Sequence, residues 1–175
     1  PCEGGKAALD FEGEAIAISD ADGNGISTVL TANVRRLVLA GQAEMPIPDR
    51  EDVRYLGPLT DQDKFDAYAA CTALVMPSRL ESLSLVTLEA WAVGRPVICP
   101  SRSPVLAGMS ARSGGGLAYG SFAEFAEICE LLIERPALAS RLGASGAAFV
   151  AATYTWPRVV ETYLDLFAEV RARLS

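Results

Sequence analysis

Residues 73–100 read ALVMPSRLESLSLVTLEAWAVGRPVICP, and the rest of the chain is arranged around them. The stretch opens on a short apolar run, Ala73 to Met76, stopped by Pro77-Ser78, with the length and composition of a buried parallel strand. A polar loop follows, then Leu85 to Val93 as a helix closed by Gly94, then Pro96 to Cys99 as a second strand. This pattern predicts one strand–loop–helix–strand unit with a right-handed connection. Between Ser82 and Gly94 the only charged residue is Glu89. A helix apolar on nearly every face is predicted to be buried, and a buried carboxylate is costly unless something pairs with it. Glu81 stands eight positions earlier, in the loop that leads into the helix. The helix N-terminus, with its free N–H groups, faces the same space as both carboxylates and suits an anion. N–H groups for an anion beside carboxylates for hydroxyl hydrogens fit a phosphorylated polyol, of which a nucleotide sugar is an example.

Composition sets the outer bounds. A chain of 175 residues, half of them apolar, suffices for one domain with a sizeable core. A net charge of −7 argues against nucleic acid or an anionic membrane as partner. Four cysteines, Cys2, Cys71, Cys99 and Cys129, show no metal-binding spacing and read as free thiols in a reducing cytosol. No signal peptide is visible, and no apolar run approaches the length of about 18 residues that a membrane span needs. With no histidine in the chain, imidazole bases and histidine-containing metal sites are excluded within it.

From the N-terminus, Lys6 to Ile18 is predicted as a helix on its alanines, with a turn at Asp22 to Gly25. Leu37 to Gly41 reads as a strand ending on glycine, and 45–50 as a loop broken by two prolines. Val53 to Leu56 is a second short strand. Thr60 is predicted to cap a helix with Asp63 three residues on, and Phe65, Tyr68 and Ala69 supply its apolar stripe. After the central unit, Pro104 to Met109 reads as a short helix, Arg112 to Gly116 as a flexible loop and Leu117 to Tyr119 as a strand. Ser121 caps a helix to Glu134, Pro136 opens another to about Ala151, and Trp156 to Leu174 forms a final amphipathic helix. Strands alternating with helices from Arg36 to Tyr119 predict a doubly wound α/β domain, a parallel sheet with helices on both faces. Ligands in such sheets bind at the carboxyl ends of the strands. The loops at Gly41, Gly57 to Thr60, Ser78 to Ser84 and Pro100 to Ser103 all belong to that edge.

Glu81-Ser-Leu-Ser-Leu-Val-Thr-Leu-Glu89-Ala-Trp-Ala-Val-Gly94-Arg-Pro96-Val97 resembles the E-x7-E stretch of the GT-B glycosyltransferases usually called family 4. Its usual form is E-G-F-G-L-x-x-x-E-A-M-A-x-G-x-P-V. The resemblance extends from Arg36 to Phe167. It implies a Rossmann-like domain, the C-terminal, donor-binding half of a two-domain enzyme whose N-terminal acceptor domain lies outside residues 1–175. It further implies hexose transfer from a nucleotide sugar with retention of configuration and without an essential metal or other cofactor. Such an enzyme is expected in the cytoplasm, with the full-length protein able to work at the membrane surface.

By resemblance Glu89 takes the ribose hydroxyls of the nucleotide, whereas a purely structural reading pairs it with Arg79, Arg95 or Lys64. Glu81, the residue to which the resemblance assigns catalysis, contacts donor-sugar hydroxyls. Ser82, Leu83 and Ser84 replace the usual Gly-Phe-Gly, with Ser84 also able to cap the helix. Leu85 and Val86 extend the phosphate contact through their N–H groups. Leu59 lines the nucleobase and Lys64 reaches the phosphate side, while Arg102 and Arg112 read as surface cations. The family's arginine and lysine for the diphosphate have no match here: Glu3 falls where the lysine is expected, with Lys6 one turn on. Two alternatives follow from other classes, a non-catalytic nucleotide-sugar-binding module of the same fold and a sugar-nucleotide epimerase. The latter would usually bring a histidine that this chain lacks.

Overall fold

The computed structural model describes residues 15–18, 36–43, 46–47 and 49–174. Glu3, Lys6, Cys2, the turn at Asp22 to Gly25, and Met45 and Pro48 of the proline loop lie outside the described residues. Among the described residues six parallel strands form one sheet: β1 Ala15–Ile18, β2 Arg36–Leu39, β3 Val53–Tyr55, β4 Ala73–Val75, β5 Val97–Pro100 and β6 Gly116–Tyr119. Their order across the sheet is β3-β2-β1-β4-β5-β6. The described helices are α1 Asp61–Ala70, α2 Leu85–Ala92, α3 Pro104–Ser113, α4 Phe122–Glu134, α5 Pro136–Thr153 and α6 Trp156–Leu174. The central unit has the expected form, because β4 and β5 run parallel and in register, Leu74 opposite Val97 and Val75 opposite Ile98.

Successive strand residues feed two separate cores, as the two-residue period of a strand requires. Ala73, Val75 and Ile98 join Phe125, Cys129 and Leu132 of α4 on one face. Leu74, Val97 and Cys99 join Tyr68, Leu88, Trp91 and Met109 on the other. Cys71, Cys99 and Cys129 are buried, and burial pushes the Cys129 thiol up to about 12, which leaves it unreactive.

Three expectations need correction. Ala15–Ile18 is not the end of a helix but a strand, paired to β2 on one side and β4 on the other. Arg112 to Gly116 is not a flexible loop: α3 continues through Ser113, Gly114 closes it in the left-handed conformation, and Gly116 already belongs to β6. A Cβ on Gly115 would stand 2.7 Å from the Trp91 ring, so this glycine serves close packing. In α1 the buried residues are Ala67 and Tyr68, with Ala69 exposed.

Helix α5 crosses α2 at very short range. A Cβ on Gly143 would lie 1.9 Å from the Gly94 carbonyl oxygen, and one on Gly146 would lie 2.4 Å from Trp91. Trp91 is fully buried there, and its indole N–H donates to the Gly115 carbonyl at 2.7 Å. This contact pins the C-terminal end of α2, and so fixes the direction in which its N-terminus points. By contrast α6 leaves its apolar stripe uncovered: Trp156, Val160, Tyr163, Phe167 and Leu174 are all exposed.

Candidate functional site

The order β3-β2-β1-β4-β5-β6 reverses direction between β1 and β4, and in doubly wound sheets the ligand crevice opens at that reversal, beyond the carboxyl ends of the strands. The loop leaving β4 there is Met76 to Ser84, which carries Glu81. Ser84 is the N-cap of α2: its hydroxyl accepts from the Thr87 N–H at 3.4 Å. A serine in place of glycine is therefore accounted for locally, since a capping hydroxyl satisfies one first-turn donor. Helix geometry leaves the N–H groups of Leu85 and Val86 without acceptors inside the helix, at the carboxyl edge of the sheet from which the β4 loop enters α2. Leu80, Leu83 and Leu85 are exposed around this turn, so the N-terminal end of α2 is not buried as its composition predicts. An open groove of about 340 Å³ lies beside the turn, with Ser82, Leu83, Val105, Met109, Arg112 and Tyr154 among its walls.

Across from α2 stands α1. Thr60 caps it as expected, its hydroxyl accepting from the Asp63 N–H at 3.2 Å. Lys64 and Tyr68, four residues apart, share one face of this helix, and that face is turned to α2. The Lys64 ammonium donates to one oxygen of Glu89 at 2.9 Å and the Tyr68 hydroxyl to the other at 3.2 Å. Lys64 also reaches Asp61 at 3.3 Å. The hydrogen bond to Glu89 holds the lysine above its ordinary pKa, against the lowering effect of burial. Of the three cations that could pair with Glu89, Lys64 is the one that does. Arg95 instead donates to the Ala69 carbonyl at the end of α1, where a cation suits the helix C-terminus. Arg79 is exposed.

The pair accounts for a carboxylate on an otherwise apolar helix, but it does not close the site. The side chains of Glu89 and Lys64 remain 26% and 29% exposed, so one side of the pair is open to a ligand. Glu81 is half-buried, and none of the described cations stands within ion-pairing distance of it. Leu59 is half-buried just before the α1 cap. Arg102 and Arg112 are exposed, as surface cations would be. Tyr68 is the site residue that sequence reasoning placed in the core stripe alone. Its spacing of four from Lys64 was the available signal. Among the described residues no three histidine, cysteine, aspartate or glutamate side chains cluster as a metal ion requires.

A six-stranded parallel sheet of this order, with helices on both faces, defines a Rossmann-like α/β domain of the GT-B class. Residues 25–135 match the family described as "Glycosyl transferases group 1", and the chain belongs to that family. It is 36% identical over 118 residues to the D-inositol 3-phosphate glycosyltransferase of Streptomyces bingchenggensis, 67% of this chain but 26% of that protein. The protein of the same description from Mycolicibacterium smegmatis is 30% identical over 132 residues, 74% of this chain and 30% of its own length. Among solved structures, sucrose-phosphate synthase from Thermosynechococcus elongatus superposes with a TM-score of 0.78 at 22% identity, covering 94% of this chain and 47% of that one. Anabaena HepE in complex with UDP-glucose superposes with a TM-score of 0.71 at 15% identity, covering 90% and 49%. The chain thus spans about a quarter of these curated relatives and about half of these structural neighbours. Among the described residues no helix is long and apolar enough to cross a membrane.

Proposed function

We propose that this chain is the donor-binding half of a glycosyltransferase that moves a hexose from a nucleotide sugar to an acceptor with retention of configuration. The observation that carries the reading is Glu89, held by Lys64 and Tyr68 yet a quarter exposed, on the helix whose N-terminus faces the sheet reversal. Relatives described as glycosyltransferases, and a structural neighbour solved with UDP-glucose, support it.

In this reading the Glu89 carboxylate accepts hydrogen bonds from the ribose hydroxyls, and Leu59 lines the base. The N–H groups of Leu85 and Val86 meet the diphosphate, with Ser82, Leu83 and Ser84 shaping the turn beneath it. Lys64, part-exposed beside Glu89, exchanges part of that bond for a phosphate oxygen in this reading, adding positive charge where the leaving group gains negative charge. Glu81 takes hydroxyls of the sugar and holds it as the bond from its anomeric carbon to the diphosphate breaks. No metal or other cofactor enters the scheme. The acceptor would be held by a second domain, and the exposed apolar stripe of α6 is the surface this chain offers to it. The net charge of −7 makes nucleic acid an unsuitable partner, and a cytoplasmic enzyme, reaching the membrane surface through its other half, fits the composition.

Calorimetric titration of the chain with UDP-, GDP- and ADP-glucose tests the proposal. Saturable binding of one of the three, weak and without transfer, is expected. Absence of heat with all three would remove the donor-site reading and leave the fold without it.

A further inference from the structure

We propose that Tyr68 is a positioning residue: its hydroxyl fixes the Glu89 carboxylate in the orientation that distinguishes a ribose from a deoxyribose. The inference rests on the reading of Glu89 as the ribose acceptor and adds a residue that the E-x7-E pattern does not contain. Four observations support it. Tyr68 is 5% exposed, and its ring packs edge-on against Phe65, with centroids 6.0 Å apart and planes at 86°. A side chain so enclosed cannot change rotamer as a ligand enters. Its hydroxyl donates to Glu89 at 3.2 Å, on the oxygen that Lys64 does not take. Burial, reinforced by the neighbouring carboxylate, pushes the phenol well above its ordinary pKa, so it stays a donor at any working pH. Lys64 differs on each point. It is part-exposed, flexible and already shared with Asp61, so it is free to move toward a phosphate.

The two donors therefore divide the work. When Lys64 turns to the phosphate, Tyr68 remains the fixed contact that keeps the carboxylate plane facing the ribose. Each carboxylate oxygen has lone pairs to spare after accepting one hydrogen bond, so Tyr68 does not compete with the sugar. Without the hydroxyl, Glu89 would be free to rotate, and its two oxygens would no longer be set for the ribose hydroxyls together.

The test compares the ribo and 2′-deoxy forms of UDP, GDP and ADP by calorimetry, on the wild-type chain and on Tyr68→Phe. With whichever base binds, the wild type is expected to prefer the ribo form by about tenfold or more. Tyr68→Phe is expected to narrow that preference to about threefold or less, through the ribo form, with 2′-deoxy affinity unchanged. Equal weakening of both forms would make Tyr68 a structural residue only and overturn the proposal. So would an unchanged preference. A wild type that binds nucleotides without preferring ribose would overturn both this proposal and the ribose role of Glu89. If the wild type prefers ribose, Glu89→Gln abolishes that preference and Tyr68→Phe does not alter it, the ribose reading stands and the inference alone fails. A thermal melt of Tyr68→Phe close to wild type excludes unfolding as the cause of any change.

Discussion

Glu89→Gln is expected to weaken nucleoside diphosphate binding by about ten- to a hundredfold while leaving the fold nearly as stable as before. The two halves of that result have different origins. A charge-assisted hydrogen bond to a ribose hydroxyl is worth roughly 1.5–3 kcal/mol, which sets the loss of affinity. The ion pair with Lys64 is a quarter exposed and solvent-screened, and pairs of that kind contribute about 1 kcal/mol or less to stability. Glutamine keeps the shape and one acceptor oxygen for Lys64, and its amide N–H can donate to the Tyr68 hydroxyl, which accepts as well as donates. Paired titration and denaturation measurements check the outcome. A drop in stability with unchanged nucleotide affinity would return Glu89 to a structural acid whose function is to neutralise Lys64.

Trp91→Ala is expected to produce the largest loss of stability. The side chain is fully buried between α2, α5 and β6, and removal of such a ring costs about 3–5 kcal/mol. The Gly115 carbonyl also loses its indole donor, adding roughly 1–3 kcal/mol if no water replaces it. A domain of this size has a total of about 5–15 kcal/mol to lose, so the variant should melt some 10 °C or more below wild type, or fail to fold. Donor binding should fall with it, because α2 carries Glu89 on the turn next to Trp91. A change of about 1 kcal/mol or less in a denaturant titration would mean that the contact between α2 and α5 is looser than the glycine distances imply.

The central unit was legible because several signals agreed within a few residues. An apolar run stopped by Pro77, a polar loop, a helix closed by Gly94 and a second apolar run leave little freedom once connections are short and right-handed. Ser84 and Thr60 were recognisable as caps from residue type and spacing alone. The strand at Ala15–Ile18 was not. Four residues of alternating alanine and isoleucine have no polar face to mark a strand, and the neighbouring alanines favour a helix reading. That miss matters for the site, because β1 is the strand that puts the sheet reversal next to the Glu81 loop. The glycines at 114–116 were misread for a related reason: composition cannot distinguish a glycine that is mobile from one pressed against Trp91. The partner of Glu89 lies 25 residues away on another helix. Three cations satisfied the chemistry, and helix packing selected Lys64. Tyr68 was visible as an apolar residue, while its hydroxyl acquired a role through the same packing.

The most direct measurement is a crystal structure of the chain with the nucleoside diphosphate that binds in titration. The expected result places both ribose hydroxyls on Glu89, with Tyr68 still donating to it, and the diphosphate over the N–H groups of Leu85 and Val86. A nucleotide lodged elsewhere, with the pair between Lys64 and Glu89 unchanged and the crevice beyond β4 empty, would contradict the assignment of this site.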